Sequence, residues 1–422
     1  MQSERAVPQE SMRQAPLGLI GVIVVLLSLS PALTKAGGLL FFVFLAWGFW
    51  VVLRWPRLAI ESSLPRDWLI IATAALVFRA AATVLWNDSW GGRHFEGRFF
   101  LMALAAWCLI RACSLSPRQK GAIDFALALA CWVALAVVWM VGRDTPTNAL
   151  PWAAGVSFVV CVLLGRLFEP QRGWLVRGAL WVSVIGGVAA VLLSQSRGSY
   201  GVVVCLVVAV LIMFGHFAIK RHGRMVWRAA FVMAVGAVAI AAIFPQLYRA
   251  PQERMQLAVQ QASKLADELR RGQVSVSALD TSVGARLYMW VRALDEPDLF
   301  VVTGVGQRQR QAWVKDLGRQ SGSEVIASLD HLHSDPLTIW FEHGLLGLAS
   351  YLSVALGLVW LAWRARMRGA GAVMALAGIA FMHITAGLTN FNTIHNFYGV
   401  MLSLCIVLTL WLATPDSQRA GS

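Results

Sequence analysis

The segment His331-Leu-His333-Ser-Asp335-Pro-Leu-Thr-Ile-Trp-Phe-Glu342-His-Gly344-Leu-Leu-Gly347 decides how this chain is organised. It closes the only long polar stretch of the sequence, about residues 245–335. From Gly344 onward runs an apolar stretch, about 344–363, long enough for the hydrocarbon layer, which takes about 20 residues of helix. Working outward, eleven more such runs fall at about 17–34, 37–53, 68–86, 99–113, 121–141, 149–168, 174–193, 199–219, 226–244, 371–389 and 396–413. The expected fold is therefore an all-α polytopic membrane protein of about twelve transmembrane helices. Residues 1–244 carry helices one to nine, 245–335 form a helical insertion, and 336–422 complete the same membrane domain with helices ten to twelve.

Composition agrees. Of 422 residues, 58% are hydrophobic and only 14% are charged, against about 25% charged in a soluble domain. The net charge of +14 invites a nucleic-acid reading, but the positions of the charges argue for topology instead. With the N-terminus inside, the inner segments hold 19 of the 36 Lys and Arg residues, among them Arg54, Arg111, Arg166, Arg172, Arg364, Arg366 and Arg368. The short outer links hold only Lys35, Arg93, Arg98, Arg143 and Arg197. The positive-inside rule places both termini in the cytoplasm and the insertion outside. The insertion is charge-balanced, with 11 basic and 11 acidic residues. None of the six cysteines lies in it, so no disulfide framework is implied. No small-residue cleavage site follows the first apolar run, which reads as a retained helix.

Within the insertion, Pro251 can open a helix over 252–271, with Leu257, Leu265 and Leu269 on one stripe and Gly272 as its stop. A second helix is expected at 282–294, then a turn at Thr303-Gly304-Val-Gly306, then a polar helix at 307–319. A small cap packed on the membrane domain is one reading of these helices. An amphipathic helix lying on the membrane surface is the other for 252–271.

Chemistry has few places to live in such a chain. Arg197, in Ser194-Gln-Ser-Arg197-Gly-Ser199, stands on the outer face against the charge bias. It reads either as a headgroup contact or as an anion clamp, since small neighbours and a helix start there favour an approaching phosphate. Arg286 lies in a helix with Met289 and Trp290 one turn on; the plain alternative is a solvated arginine. His331 and His333, with Asp335 two residues later, raise a zinc site, but His94 and His395 are the only other nearby candidates. A neutral imidazole acting as general base is the better reading. Glu342, followed by Gly344 and Gly347, can orient a reacting group or pair with an arginine. Arg79 sits eleven residues into helix three, about 16 Å deep at 1.5 Å per residue. An intramembrane arginine faces a partner or a cavity; an ion pair and a lipid-phosphate contact both fit. Walker, Rossmann, Asp-x-Asp and Gly-x-Ser-x-Gly patterns are absent. No nucleotide, cofactor or metal is expected.

Three pieces in order carry a resemblance: Ser-Arg197-Gly after an apolar helix; Arg286-x-x-x-Trp290 followed by Gly304-x-Gly306; and His333-Ser with Glu342-x-Gly344-x-x-Gly347. Together they resemble the O-antigen ligase family, within a larger group that includes O-antigen polymerases and protein O-oligosaccharyltransferases. Ser334 stands where the family usually has asparagine, and Ser199-Tyr200 replaces smaller residues; neither change removes a charged group. The resemblance implies a GT-C-like, metal-independent inverting glycosyltransferase of the Gram-negative inner membrane, with its site facing the periplasm. Its donor would be O-antigen on undecaprenyl diphosphate and its acceptor lipid A-core. His333 would be the base, Arg197 and Arg286 the diphosphate ligands with Arg79 as a further one, and Glu342 a supporting group. A polymerase is the first alternative. A protein O-oligosaccharyltransferase typically has an extra C-terminal outer region, where this sequence runs nine residues past its last span. A non-enzymatic lipid-linked glycan transporter would need no base and would be expected to show paired repeats.

Overall fold

The structure is a computed structural model that describes residues 13–54, 63–86, 95–169, 172–219, 246–296 and 302–414. The ninth expected span, 226–244, lies outside them. Apart from a two-residue parallel pairing of β1 (Arg13–Gln14) with β2 (Cys113–Ser114), the described elements are helical. The first eight long helices are α1 (Leu17–Leu29), α2 (Thr34–Arg54), α3 (Ser63–Trp86), α4 (Phe95–Ala112), α5 (Pro117–Val141), α6 (Ala149–Leu167), α7 (Trp174–Leu193) and α8 (Gly201–Ile219). The insertion supplies α9 (Gln246–Arg270), α10 (Val276–Leu279), α11 (Ser282–Asp295), α12 (Gly306–Ser321) and α13 (Glu324–Ala327). The chain then continues into α14 (Asp335–Arg364), α15 (Ala370–Thr389) and α16 (Asn396–Leu412). Among the described residues seven helices are long and apolar enough to cross a membrane, and Leu17–Leu29, Arg197–Met213 and Asn396–Leu412 are shorter apolar helices. This is an all-α polytopic membrane protein.

Burial separates inner from outer helices. Nearly every residue of α6 and α16 is buried, as an all-round apolar helix at the centre of a bundle must be. Large apolar side chains such as Leu53, Val84, Met140 and Trp174 stand exposed on the outside, where lipid solvates them at no hydrophobic cost. Local rules place the ends. Ser116 and Gln119 form a reciprocal capping box, with Pro117 in the first turn of α5. α15 packs against α6, α8 and α14, and α14 also packs along α3. These contacts bring the C-terminal end of α15 under the insertion.

The insertion folds around its own small core of Leu265, Leu279, Met289, Val314, Leu317, Ile326 and Leu332. α11 and α12 fall within two residues of their expected limits. α9 differs: it already runs from Gln246, with Pro251 inside it. Of its expected stripe, Leu265 is buried and Leu269 packs on the core, whereas Leu257 is exposed.

The junction of insertion and bundle explains the paired glycines. α14 is two helical pieces broken at Gly344, whose φ of 59° and ψ of −150° no helix contains. Glycine adopts such a conformation freely. The backbone groups freed at the break are taken by the 302–305 turn: Leu345 N–H donates to Val302 O at 3.0 Å and Val305 N–H to Phe341 O at 2.9 Å. A Cβ on Gly344 would stand 2.1 Å from Val302 O, and one on Gly304 2.5 Å from Glu342 O. Gly304 and Gly344 are therefore two sides of one backbone-to-backbone contact.

Candidate active site

Three elements converge on the end of α15. The first is a tight 3-10 turn, Arg197–Ser199, between α7 and α8. Ser194 ties its Oγ to Val191 O at 2.7 Å, and Gln195 turns the chain at φ 55°. Gly198 lies against Thr389: a Cβ there would come within 2.2 Å of Thr389 Oγ1. The half-buried Arg197 is thus held at the helix end, with Nη2 donating to Ser282 Oγ at 3.2 Å.

The second element is α11. Thr281 caps it by accepting from Gly284 N–H at 3.0 Å. Arg286, one turn beyond Ser282, donates from Nη1 to Thr389 O at 3.1 Å. Carbonyls at a helix C-terminus carry partial negative charge, which favours a guanidinium there. Burial, and then the nearby charge of Arg197, pulls the Arg286 guanidinium down to about 10. It remains protonated at neutral pH. Among the described residues neither Arg197 nor Arg286 makes an ion pair with a carboxylate. Two half-buried cations facing each other repel, and an anion between them relieves that repulsion.

The third element is the His331–Ser334 link. Trp290, one turn beyond Arg286, donates from Nε1 to Leu332 O at 2.6 Å. The Arg286-x-x-x-Trp290 spacing therefore sets the guanidinium and the histidine link in one register on a single helix. His333 has φ 52°, an uncommon left-handed conformation for a non-glycine residue. Its Nδ1 lies 3.2 Å from Asn390 Oδ1.

The amide network decides the tautomer. Ala386 O can only accept, so the group 2.8 Å from it is Asn392 Nδ2. Asn392 Oδ1 then faces Asn390 Nδ2 at 2.8 Å. That turns Asn390 Oδ1 toward His333, whose Nδ1 must carry the proton. Nε2 is left with the lone pair. Burial, and next the charge of Arg286, holds the His333 imidazole down at about 4, so it is neutral at physiological pH. His331 is oriented oppositely: its Nδ1 accepts from His333 N–H at 3.1 Å, which puts its own proton on Nε2. His331 is also pulled down, to about 3, by burial and by His333. Its ring lies 4.1 Å from that of His333. Among the described residues no group of three His, Cys, Asp or Glu side chains is arranged to hold a metal ion; Asp335 Oδ1 instead accepts from Thr393 N–H and Oγ at 3.0 and 2.7 Å.

Glu342 stands in an ion-pair cluster of its own. Arg310 Nε donates to Glu342 Oε2 at 3.0 Å, and His343 Nε2 stands 2.9 Å from Oε1. Arg79, on α3, is within electrostatic reach of the same carboxylate. Arg79 thus adds its charge to the field on Glu342, and this charge centre sits beside the Gly344 break. Arg310 and Glu342 are both buried. Glu342→Ala is expected to destabilise the fold by about 3–5 kcal/mol, because it leaves buried cations without their counter-charge. Thermal unfolding in detergent, with Glu342→Gln as the milder control, checks this; equal melting of Glu342→Ala and wild type would refute it.

Ser282, Thr389, Asn390 and Asn392 were not singled out by sequence reasoning. Ser282 showed only as the start of an expected helix, and the other three only as the polar run Thr389-Asn390-Phe-Asn392-Thr393 between two apolar spans.

No curated protein matches the chain. A family model described as O-Antigen ligase matches residues 179–352. That range holds Arg197, Arg286, His333 and Glu342, while the Asn390 turn lies beyond it. That match falls on the segment that builds the cationic pair and the histidine link, and over it the chain is similar to the O-antigen ligase family.

Proposed function

We propose that this protein is an inverting, metal-independent glycosyltransferase that moves O-antigen polysaccharide from undecaprenyl diphosphate to lipid A-core. The observation that carries the proposal is the gathering, at Thr389 and Asn390, of two guanidiniums and an imidazole with a fixed lone pair. In the reaction the acceptor hydroxyl gives its proton to His333 Nε2. Its oxygen bonds to the anomeric carbon as the bond from that carbon to the diphosphate oxygen breaks. Attack opposite the leaving group inverts the centre. The negative charge that grows on the departing diphosphate is met by Arg197 and Arg286, whose planar forks match phosphate oxygens. Residues 1–244 and 336–422 form the membrane domain, 245–335 the periplasmic insertion, and both termini face the cytoplasm of a Gram-negative cell. Arg364, Arg366 and Arg368, at the opposite end of α14 from the site, support that orientation. Glu342 and Arg79 contribute by holding the start of α14 in place.

The test is a lipopolysaccharide gel from a strain lacking this gene, with undecaprenyl-linked glycans analysed in parallel. Bare lipid A-core with accumulated long undecaprenyl-linked chains is the expected result. Core carrying a single repeat would make the protein a polymerase instead, and an unchanged ladder would overturn both readings.

A further inference from the structure

Asp335 is fully buried two residues after His333, in the first turn of α14. Its backbone N–H donates to Asn390 O at 3.1 Å. Its Oδ1 accepts both from Thr393 N–H at 3.0 Å and from Thr393 Oγ at 2.7 Å. One residue thus grips the Asn390–Thr393 turn at both ends. The residues it grips are those that orient the base, because Asn390 Oδ1 faces His333 Nδ1 and Asn392 sets the orientation of Asn390. The titratable groups around it are Glu96, Tyr351 and Tyr398, none of them cationic. Its second oxygen has no hydrogen-bond partner among the described residues, nor has Tyr351 Oη. Both stand beside Gly387, at 2.9 and 2.7 Å from where a Cβ would be. What Asp335 offers the site is an acceptor of fixed direction, with no charge partner to satisfy.

We propose that Asp335 is a positioning residue for the base: by clamping the Asn390–Thr393 turn it keeps the proton on His333 Nδ1 and Nε2 aimed at the acceptor hydroxyl. This rests on the glycosyltransferase reading above. The purified full chain, in lipid nanodiscs, is assayed with an undecaprenyl-diphosphate-linked glycan and lipid A-core. Rates are measured for wild type, His333→Ala, Asp335→Ala, Asp335→Asn, Thr393→Val and Thr393→Ser.

Asp335→Ala and Thr393→Val are expected to lower kcat roughly 10- to 100-fold, the cost of a misplaced reacting group, with donor KM within about twofold of wild type. Asp335→Asn and Thr393→Ser keep the hydrogen bonds and are expected to stay within about threefold of wild type. The Asp335→Ala/Thr393→Val double variant is expected to be no slower than the slower single variant, because both remove one clamp. Asp335→Asn as inactive as Asp335→Ala would overturn the proposal, since charge would then be what matters. So would an unchanged kcat in Thr393→Val, or losses confined to KM. Thr393→Val exchanges a hydroxyl for a methyl of similar size and decides the matter alone if Asp335→Ala does not accumulate. Wild type without transfer would refute the function itself; active wild type, inactive His333→Ala and fully active Thr393→Val would refute only the clamp.

Discussion

If His333 is the proposed base, His333→Ala is expected to lower glycan transfer by roughly 10²–10⁴-fold, the usual contribution of a general base, with donor binding retained. On the proposed mechanism the loss falls on kcat, because the imidazole would meet only the acceptor hydroxyl and Arg197 and Arg286 would hold the donor. His331→Ala is expected to lose far less: its Nδ1 is occupied by the His333 N–H, and its part is to support the link. The pH profile follows from the same geometry. A base must be unprotonated to act, and His333 is pulled down to about 4 by burial and Arg286. In the free enzyme, activity is therefore present above that value and lost as pH falls through it. Bound diphosphate adds negative charge beside the ring and raises its affinity for a proton. The acid limb of kcat should then lie at higher pH than that of kcat/KM. Equal transfer by His333→Ala and wild type would remove His333 from the reaction.

Removing Arg286 has the second largest expected effect. Arg286→Gln should cost roughly 10²–10³ in kcat, the scale for one donor aimed at a developing anion. Arg286→Lys should not restore the rate. An ammonium cannot both bond Thr389 O and present a fork to phosphate. A second readout separates this role from a structural one. Arg286 is among the groups that hold His333 down, so Arg286→Gln should raise the pKa of His333 and move the acid limb of kcat/KM to higher pH. An unmoved limb, or wild-type activity in Arg286→Lys, would contradict the arrangement.

How much of this was legible beforehand varies with the range of the interaction. Helices α11 and α12 were readable because capping, glycine stops and apolar spacing act within one or two turns. α9 was less so: its start at Gln246 lies before the proline that should have opened it, and Leu257 faces outward although its spacing matches the stripe. Both are settled by packing against neighbours. The glycines of Gly304-x-Gly306 and Gly344 were visible as a motif, but their purpose, a contact between two backbone segments about forty residues apart, was not. Likewise Arg79 was noticed for its depth in the membrane, yet its neighbour Glu342 lies in a distant part of the chain.

By itself the sequence determined the class of the protein, its apolar helices and the charged residues that stand out among them. Those follow from local physics, because a run of apolar side chains and a residue's allowed φ depend on near neighbours alone. Only the tertiary structure decided which groups meet. Arg197 reaches Ser282 across 85 positions, His333 reaches Asn390 across 57, and Arg286 reaches Thr389 across 103. Hydrogen bonds are short and directional, so their partners are chosen by how helices pack. The proposal of His333 over His331 as the base came from the motif spacing to Glu342; what the tertiary structure adds is an amide chain, beginning at Ala386 O more than fifty residues away, that leaves the lone pair on His333 Nε2.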